Sequence, residues 1–135
     1  MKKLILLFSV AAFLFTSCNS DDDSSSSQDP LIGTWTYYKT FTNGNEEVLS
    51  VCEKQEMFTF NSNGSVDYEY YEEDALGNCL LEEDISGTWT NESNSMYALD
   101  FGDGPSTQTL SFENNTFYYD DIDGSDTYRE VYIRN

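Results

Sequence analysis

The tetrapeptide Gly-Thr-Trp-Thr occurs twice, at residues 33–36 and 87–90, and each copy opens a similar local programme. After Trp35 comes Phe58-Thr59-Phe60-Asn61-Ser62-Asn63, and after Trp89 comes Leu110-Ser111-Phe112-Glu113-Asn114-Asn115, each an alternating strand running into a turn. Further turn signals stand at Asn43-Gly44, Asn63-Gly64, Gly102-Asp103-Gly104-Pro105 and Asp123-Gly124. Such short dipeptides favour tight hairpins. The runs between them are rich in Tyr, Phe, Thr, Val and Trp and alternate as half-buried strands do. On that alternation Trp35, Tyr37 and Phe41 share one face, as do Phe58 and Phe60, then Val66, Tyr68 and Tyr70. Tyr97, Leu99 and Phe101 line up next, followed by Leu110 and Phe112, then Val131 and Ile133.

The pattern predicts an all-β fold: an antiparallel meander of eight strands near residues 33–41, 56–61, 65–72, 79–91, 95–101, 106–113, 116–121 and 126–134. The fourth is expected to bend at Gly87. Eight strands suffice to close a small barrel, and closure removes the exposed edges that invite aggregation. Only Val48, Val51, Cys52 and Gln55 fall at helical spacing, enough for a turn or two over one barrel mouth. In each half, Gly33 or Gly87 lets the strand bend into the barrel wall. Trp35 or Trp89, two residues on, then fills an end of the interior. Indoles that contact a ligand are the alternative.

The N-terminal segment has a different character. Residues 1–17 hold Lys2 and Lys3, an apolar or small run and then small residues before Cys18, the pattern of a secretory signal too short to span a bilayer as a mature helix. Phe15-Thr16-Ser17-Cys18 resembles the lipobox of bacterial lipoproteins, which implies acylation of Cys18 and a lipid anchor. An ordinary signal peptide with a chance cysteine is the alternative. Residues 18–30, rich in Ser and Asp, cannot bury enough apolar surface to fold and read as a tether. The triplet Asp21-Asp22-Asp23 resembles the signal that sends some Gram-negative lipoproteins to the external face of the outer membrane, and a plain solvated linker is its alternative. One domain accounts for residues 31–135.

Beyond Cys18, four basic residues against twenty-five acidic ones give a net charge of about −21. Nucleic acid is excluded as a partner on charge. Such a surface repels anionic head groups and keeps the chain soluble, so the expected state is a monomer whose membrane contact runs through its lipid anchor.

The first-strand Gly-x-Trp, the eight-stranded meander, two cysteines beyond Cys18 and the second Gly-x-Trp in mid-chain together resemble the lipocalin-like domains carried by many bacterial lipoproteins. The likeness covers essentially all of residues 31–135. It implies a closed barrel, no catalytic activity and a small hydrophobic or amphiphilic ligand held inside. It also implies an arginine from the last strand packed over the first-strand indole. Arg134 or Arg129 fits that role over Trp35, worth roughly 0.5 to 2 kcal/mol as a cation and ring pair. A surface arginine that offsets acidic neighbours is the competing reading.

Export places Cys52 and Cys79 in an oxidising compartment, where a disulfide between them is expected. Closing that loop contributes roughly 3 to 4 kcal/mol in the chain-entropy model. No metal is expected, because the sequence has no histidine and no third thiol near the pair. The run Asp121-Ile122-Asp123-Gly124-Ser125-Asp126 fails as a calcium loop, with Asp126 where glycine is needed and Tyr132 where glutamate is needed. The acidic runs at residues 72–74 and 82–84 read as solvated charge.

Without histidine, Ser-His and Cys-His nucleophiles are ruled out, and no glycine-rich phosphate loop or cofactor motif appears. Binding is therefore the expected class. Eighteen aromatic residues against fifteen Ile, Leu and Val from residue 31 onward mean an interior built largely from rings. If the barrel is open at one end, Tyr37, Phe58, Phe60, Tyr68, Tyr70, Tyr97, Phe101 and Phe112 line a pocket for a small amphiphile. If the rings pack it solid, the runner-up is a cell-surface module that uses outward Tyr38, Tyr71 and Tyr118 to stack on a glycan or a protein.

Overall fold

A computed structural model describes residues 27–135. The expected signal peptide, Cys18 and the tether as far as residue 26 lie outside the described residues. The described chain is a single antiparallel sheet. Its strands are β1 (Gly33–Thr42), β2 (Asn45–Glu47), β3 (Met57–Phe60), β4 (Ser65–Glu73), β5 (Cys79–Ser93), β6 (Met96–Asp100), β7 (Ser106–Thr109), β8 (Ser111–Glu113), β9 (Thr116–Asp123) and β10 (Asp126–Arg134). One 3-10 turn, Glu53–Gln55, is the only helical element among the described residues.

Ten strands rather than eight result from two local events. The Asn43-Gly44 turn, both residues at positive φ, folds the chain back so that β2 pairs the end of β1. At Leu110 the expected sixth strand changes partner, since β7 pairs β6 whereas β8 pairs β9. The hydrogen-bonded order is therefore β7-β6-β5-β4-β3-β1-β10-β9-β8, with β2 beside β1. Strand pairing does not join the two ends, so the expected closed eight-stranded ring is not what the ladder forms. The ends are nonetheless successive pieces of one chain, separated only by Leu110.

Bulges decide which side chains face inward. On β1, Tyr37 pairs Tyr132 but Lys39 pairs Val131, so Tyr38 is the extra residue. The slip turns Thr40 toward the interior beside Glu130 and sends Phe41 outward beside Arg129, against the alternation that put Phe41 with Trp35. On β10 the inward set is Glu130, Tyr132 and Arg134. Tyr132 is 1% exposed, and Val131 and Ile133 take the outer face instead of the inner one expected. Aliphatic character alone misreads this strand, because Tyr132 buries a larger surface and has a partner for its hydroxyl.

The core holds Leu31, Trp35, Tyr37, Leu49, Phe60, Val66, Trp89, Tyr97, Leu110, Phe117 and Tyr132. Rings meet mostly edge-on or tilted, as between Trp35 and Phe117 (4.9 Å) and between Phe60 and Trp89 (5.9 Å). Phe60 thus stands between the two tryptophan neighbourhoods. Of the expected helical face only Cys52 is buried: Val48 and Val51 are 96% and 73% exposed, and Leu49 turns inward in their place. Spacing over so short a run carries little weight once the Cys52–Cys79 disulfide, with Cα atoms 5.1 Å apart, fixes which side turns inward.

Candidate functional site

At the first Gly-Thr-Trp, the Trp35 indole donates from Nε1 to the Leu31 carbonyl at 2.7 Å and is 2% exposed. Arg134, directly opposite in the β1–β10 register, lays its guanidinium 4.2 Å from the indole centroid. The same group donates to the carbonyls of Ile32 (2.7 Å) and Pro30. Gly33 makes room for it: at φ +135°, a Cβ there would stand 2.6 Å from an Arg134 nitrogen. Arg129, the other candidate for this place, instead sits over the outer Tyr118 ring and binds Asp120 at 2.6 Å.

The second copy uses its glycine differently. Gly87 is not at positive φ; its missing side chain admits β6, since a Cβ would lie 2.4 Å from the Asp100 carbonyl and 2.7 Å from Phe101. The Trp89 indole donates to the Asn61 carbonyl at 3.0 Å. The end of the expected tether joins this part of the fold. Asp29 accepts from Tyr97 and from Asn91, both hydrogen bonds that clamp the chain entry against β5 and β6.

Beneath the indoles a cavity of about 410 Å³ runs between β3, β6, β7 and β9. Phe58, Phe60 and Phe101 line it, as the sequence reading places them. The other five residues of that reading lie elsewhere. Tyr37 stacks on Tyr132 at 5.1 Å, Tyr68 backs Phe58 at 4.6 Å, and Phe112 packs between Trp35 and Tyr97. Tyr70 points its hydroxyl at Glu72, and Tyr97 at Asp29. The remaining lining comes from Leu99, Ser106, Gln108, Leu110, Phe117, Tyr119 and Asp121. Phe117, Tyr119 and Asp121 alternate after the Asn114-Asn115 turn, so the period-two rule carried that signal.

Two further hollows, about 380 and 760 Å³, are lined largely by charged and outward residues such as Phe41, Arg129, Tyr38, Lys39 and Glu47, with Tyr37 and Leu49 reaching the larger one from the core. Neither has interior rings on several sides, so the cavity below the indoles is the better candidate for a small ligand. The outward tyrosines are spoken for in different ways. Tyr38 is 44% exposed, Tyr71 donates to Glu69, and Tyr118 lies under Arg129.

A polar chain borders the cavity through Tyr119. Its hydroxyl donates to Glu130, and Glu130 also lies 3.2 Å from the Tyr132 hydroxyl. Tyr132 in turn is 2.7 Å from Glu56 Oε1, and Glu56 is 7% exposed. One phenol proton cannot serve two carboxylates at once. Tyr132 donates to Glu56 Oε1, the nearer of the two, and the Tyr119 hydroxyl serves Glu130. Burial pushes the Glu56 carboxyl up to about 7, opposed by the Tyr132 hydrogen bond and aided by the nearby Glu130 charge. Burial likewise raises the Tyr37 phenol to about 12 and the Tyr132 phenol well above its ordinary range. Among the described residues no group of three potential ligands gathers as a metal site.

A family model for a lipocalin-like domain matches residues 31–119, from the chain entry through the first half of β9. The match stops short of β10, although β10 supplies Arg134 to the first indole. A search of curated proteins finds no significant match to the chain.

Proposed function

The chain belongs to the family of lipocalin-like domains, and from that premise we propose that it is a non-catalytic binding protein for a small hydrophobic or amphiphilic molecule. The observation that carries this reading is the open-sided cavity of about 410 Å³, lined by Phe58, Phe60, Phe101 and Phe117. Burying an apolar ligand against such rings contributes roughly 25 cal/mol per Å² of apolar surface removed from water. A histidine-free chain offers no Ser-His or Cys-His nucleophile to act on it.

The two ends of the sheet meet, in this reading, across a seam rather than a ladder. Supporting it, Leu110 links β7 to β8 covalently, and Gln108 Nε2 on β7 donates to the Asp120 carbonyl on β9 at 3.0 Å. On this reading, chain continuity and that side-chain hydrogen bond hold the two ends of the sheet together, with the cavity just inside. The Lys2-Lys3 leader, Cys18 and the Ser- and Asp-rich tether further support a monomer anchored by lipid to the outer membrane, with the acidic triplet favouring its external face.

Native mass spectrometry of the protein purified from its own host tests the reading. A bound small molecule appears as a discrete mass increment that is lost after denaturing extraction. A bare protein mass that also stays bare after incubation with medium-chain alcohols contradicts it.

A further inference from the structure

The charge around the cavity says what kind of amphiphile fits it. Along one wall, Phe58, Phe60 and Phe117 present ring faces and edges. At the other end the lining turns polar with Tyr119 and Asp121, and Glu130 stands directly behind the Tyr119 hydroxyl. No lysine or arginine lines the cavity. Of the basic side chains in the described residues, Lys39 binds Glu46, Arg129 binds Asp120, and Arg134 lies over Trp35. Lys54 lines the separate outer hollow beside Tyr38. The cavity therefore has one lining carboxylate, Asp121, with Glu130 behind Tyr119, and no countercharge of its own.

Taking the ligand-binding reading as given, we propose that the cavity selects a cationic amphiphile, an organic ammonium whose apolar body lies among Phe58, Phe60 and Phe117 and whose head meets the Asp121, Tyr119 and Glu130 end. Two effects act in the same direction. Aromatic faces attract a cation through their quadrupole. A concave, partly desolvated site also focuses the field of its carboxylates, which sharpens the preference for positive charge. A carboxylate head at that end faces the like charges of Asp121 and Glu130, so a fatty acid is the disfavoured amphiphile.

The test compares three probes with the same tail at neutral pH: octylammonium, 1-octanol and octanoate, each titrated by calorimetry into the folded domain. The expected order is octylammonium tightest and octanoate weakest, with a gap of about tenfold or more between them. The Asp121→Asn, Glu130→Gln double variant is expected to close most of that gap. A Glu47→Gln, Glu82→Gln double variant, which removes the same charge from exposed positions on β2 and β5, is expected to keep it.

Equal binding of the three probes, or preference for octanoate, overturns the cationic selection while leaving a ligand-binding cavity intact. Binding by none of them overturns both readings. A gap that shrinks equally in the two double variants overturns the siting, because the whole-protein field then explains it. The wild-type order alone decides the selection, even if the Glu130→Gln variant folds poorly.

Discussion

Gly33→Ala tests how the first Gly-Thr-Trp is built, because it strikes two features whose costs separate. The backbone at Gly33 has φ +135°, where a side chain is strained by roughly 1 to 3 kcal/mol. The new Cβ would also meet the Arg134 guanidinium at 2.6 Å and displace it from its place 4.2 Å over the Trp35 indole. Losing that cation and ring contact costs about 0.5 to 2 kcal/mol. The single variant is thus expected to lose about 1.5 to 5 kcal/mol in urea unfolding followed by tryptophan fluorescence. In an Arg134→Ala background only the backbone cost remains, so Gly33→Ala should then cost about 1 kcal/mol less than in wild type. Additive costs, within about 0.3 kcal/mol, would show that the glycine does not serve the arginine and would refute the argument.

Two further perturbations address other parts of the molecule. Burial raises the Glu56 carboxyl to about 7 in the folded state from an ordinary value of 4.5, so the folded protein holds this proton more tightly than the unfolded chain does. Its contribution is full below about 4.5 and is lost as pH rises through about 7, and Glu56→Gln should flatten the fall in stability between pH 5 and pH 8. An unchanged slope in the urea midpoint would count against a buried, protonated Glu56. In the turn between β5 and β6, Ser93, Asn94 and Ser95 all hold positive φ, an arrangement costing a side chain roughly 1 to 2 kcal/mol per residue. Ser95→Gly is expected to raise stability by about 1 kcal/mol, and a loss on thermal unfolding would contradict that reading.

Much of the architecture could be read from the chain because turn dipeptides and period-two alternation are local. They placed nearly every strand and predicted an all-β sheet, and the disulfide followed from reading the two cysteines as those of an exported chain. What escaped depended on partners distant in sequence. The bulge at Tyr38 sends Phe41 outward only because β10 sets the register. Tyr132 displaces Val131 and Ile133 from the interior because Glu56 reaches its hydroxyl across the core. The break at Leu110 is a change of partner between β6 and β9, for which the sequence has no local mark.

The candidate site divides along the same line. Phe58 and Phe60 on β3 were found by alternation, and Phe101 by continuing the face of β6 past its end. Tyr97 was misplaced because Asp29, read as tether, holds its hydroxyl at the chain entry. Asp121 and Glu130 gave no signal among so many acidic residues. Only the strand register brings them to the polar end of the cavity.

The proposed binding role requires that the space among Phe58, Phe60 and Phe117 be an accessible cavity rather than a solid ring pack. Titration of the neutral aromatic dye N-phenyl-1-naphthylamine into wild type and into Leu99→Trp, which fills the cavity wall, tests it most directly. The expected result is saturable fluorescence enhancement with one dye per wild-type chain, abolished in a Leu99→Trp protein that remains folded by circular dichroism. No enhancement in wild type, or equal enhancement in the filled variant, would contradict it.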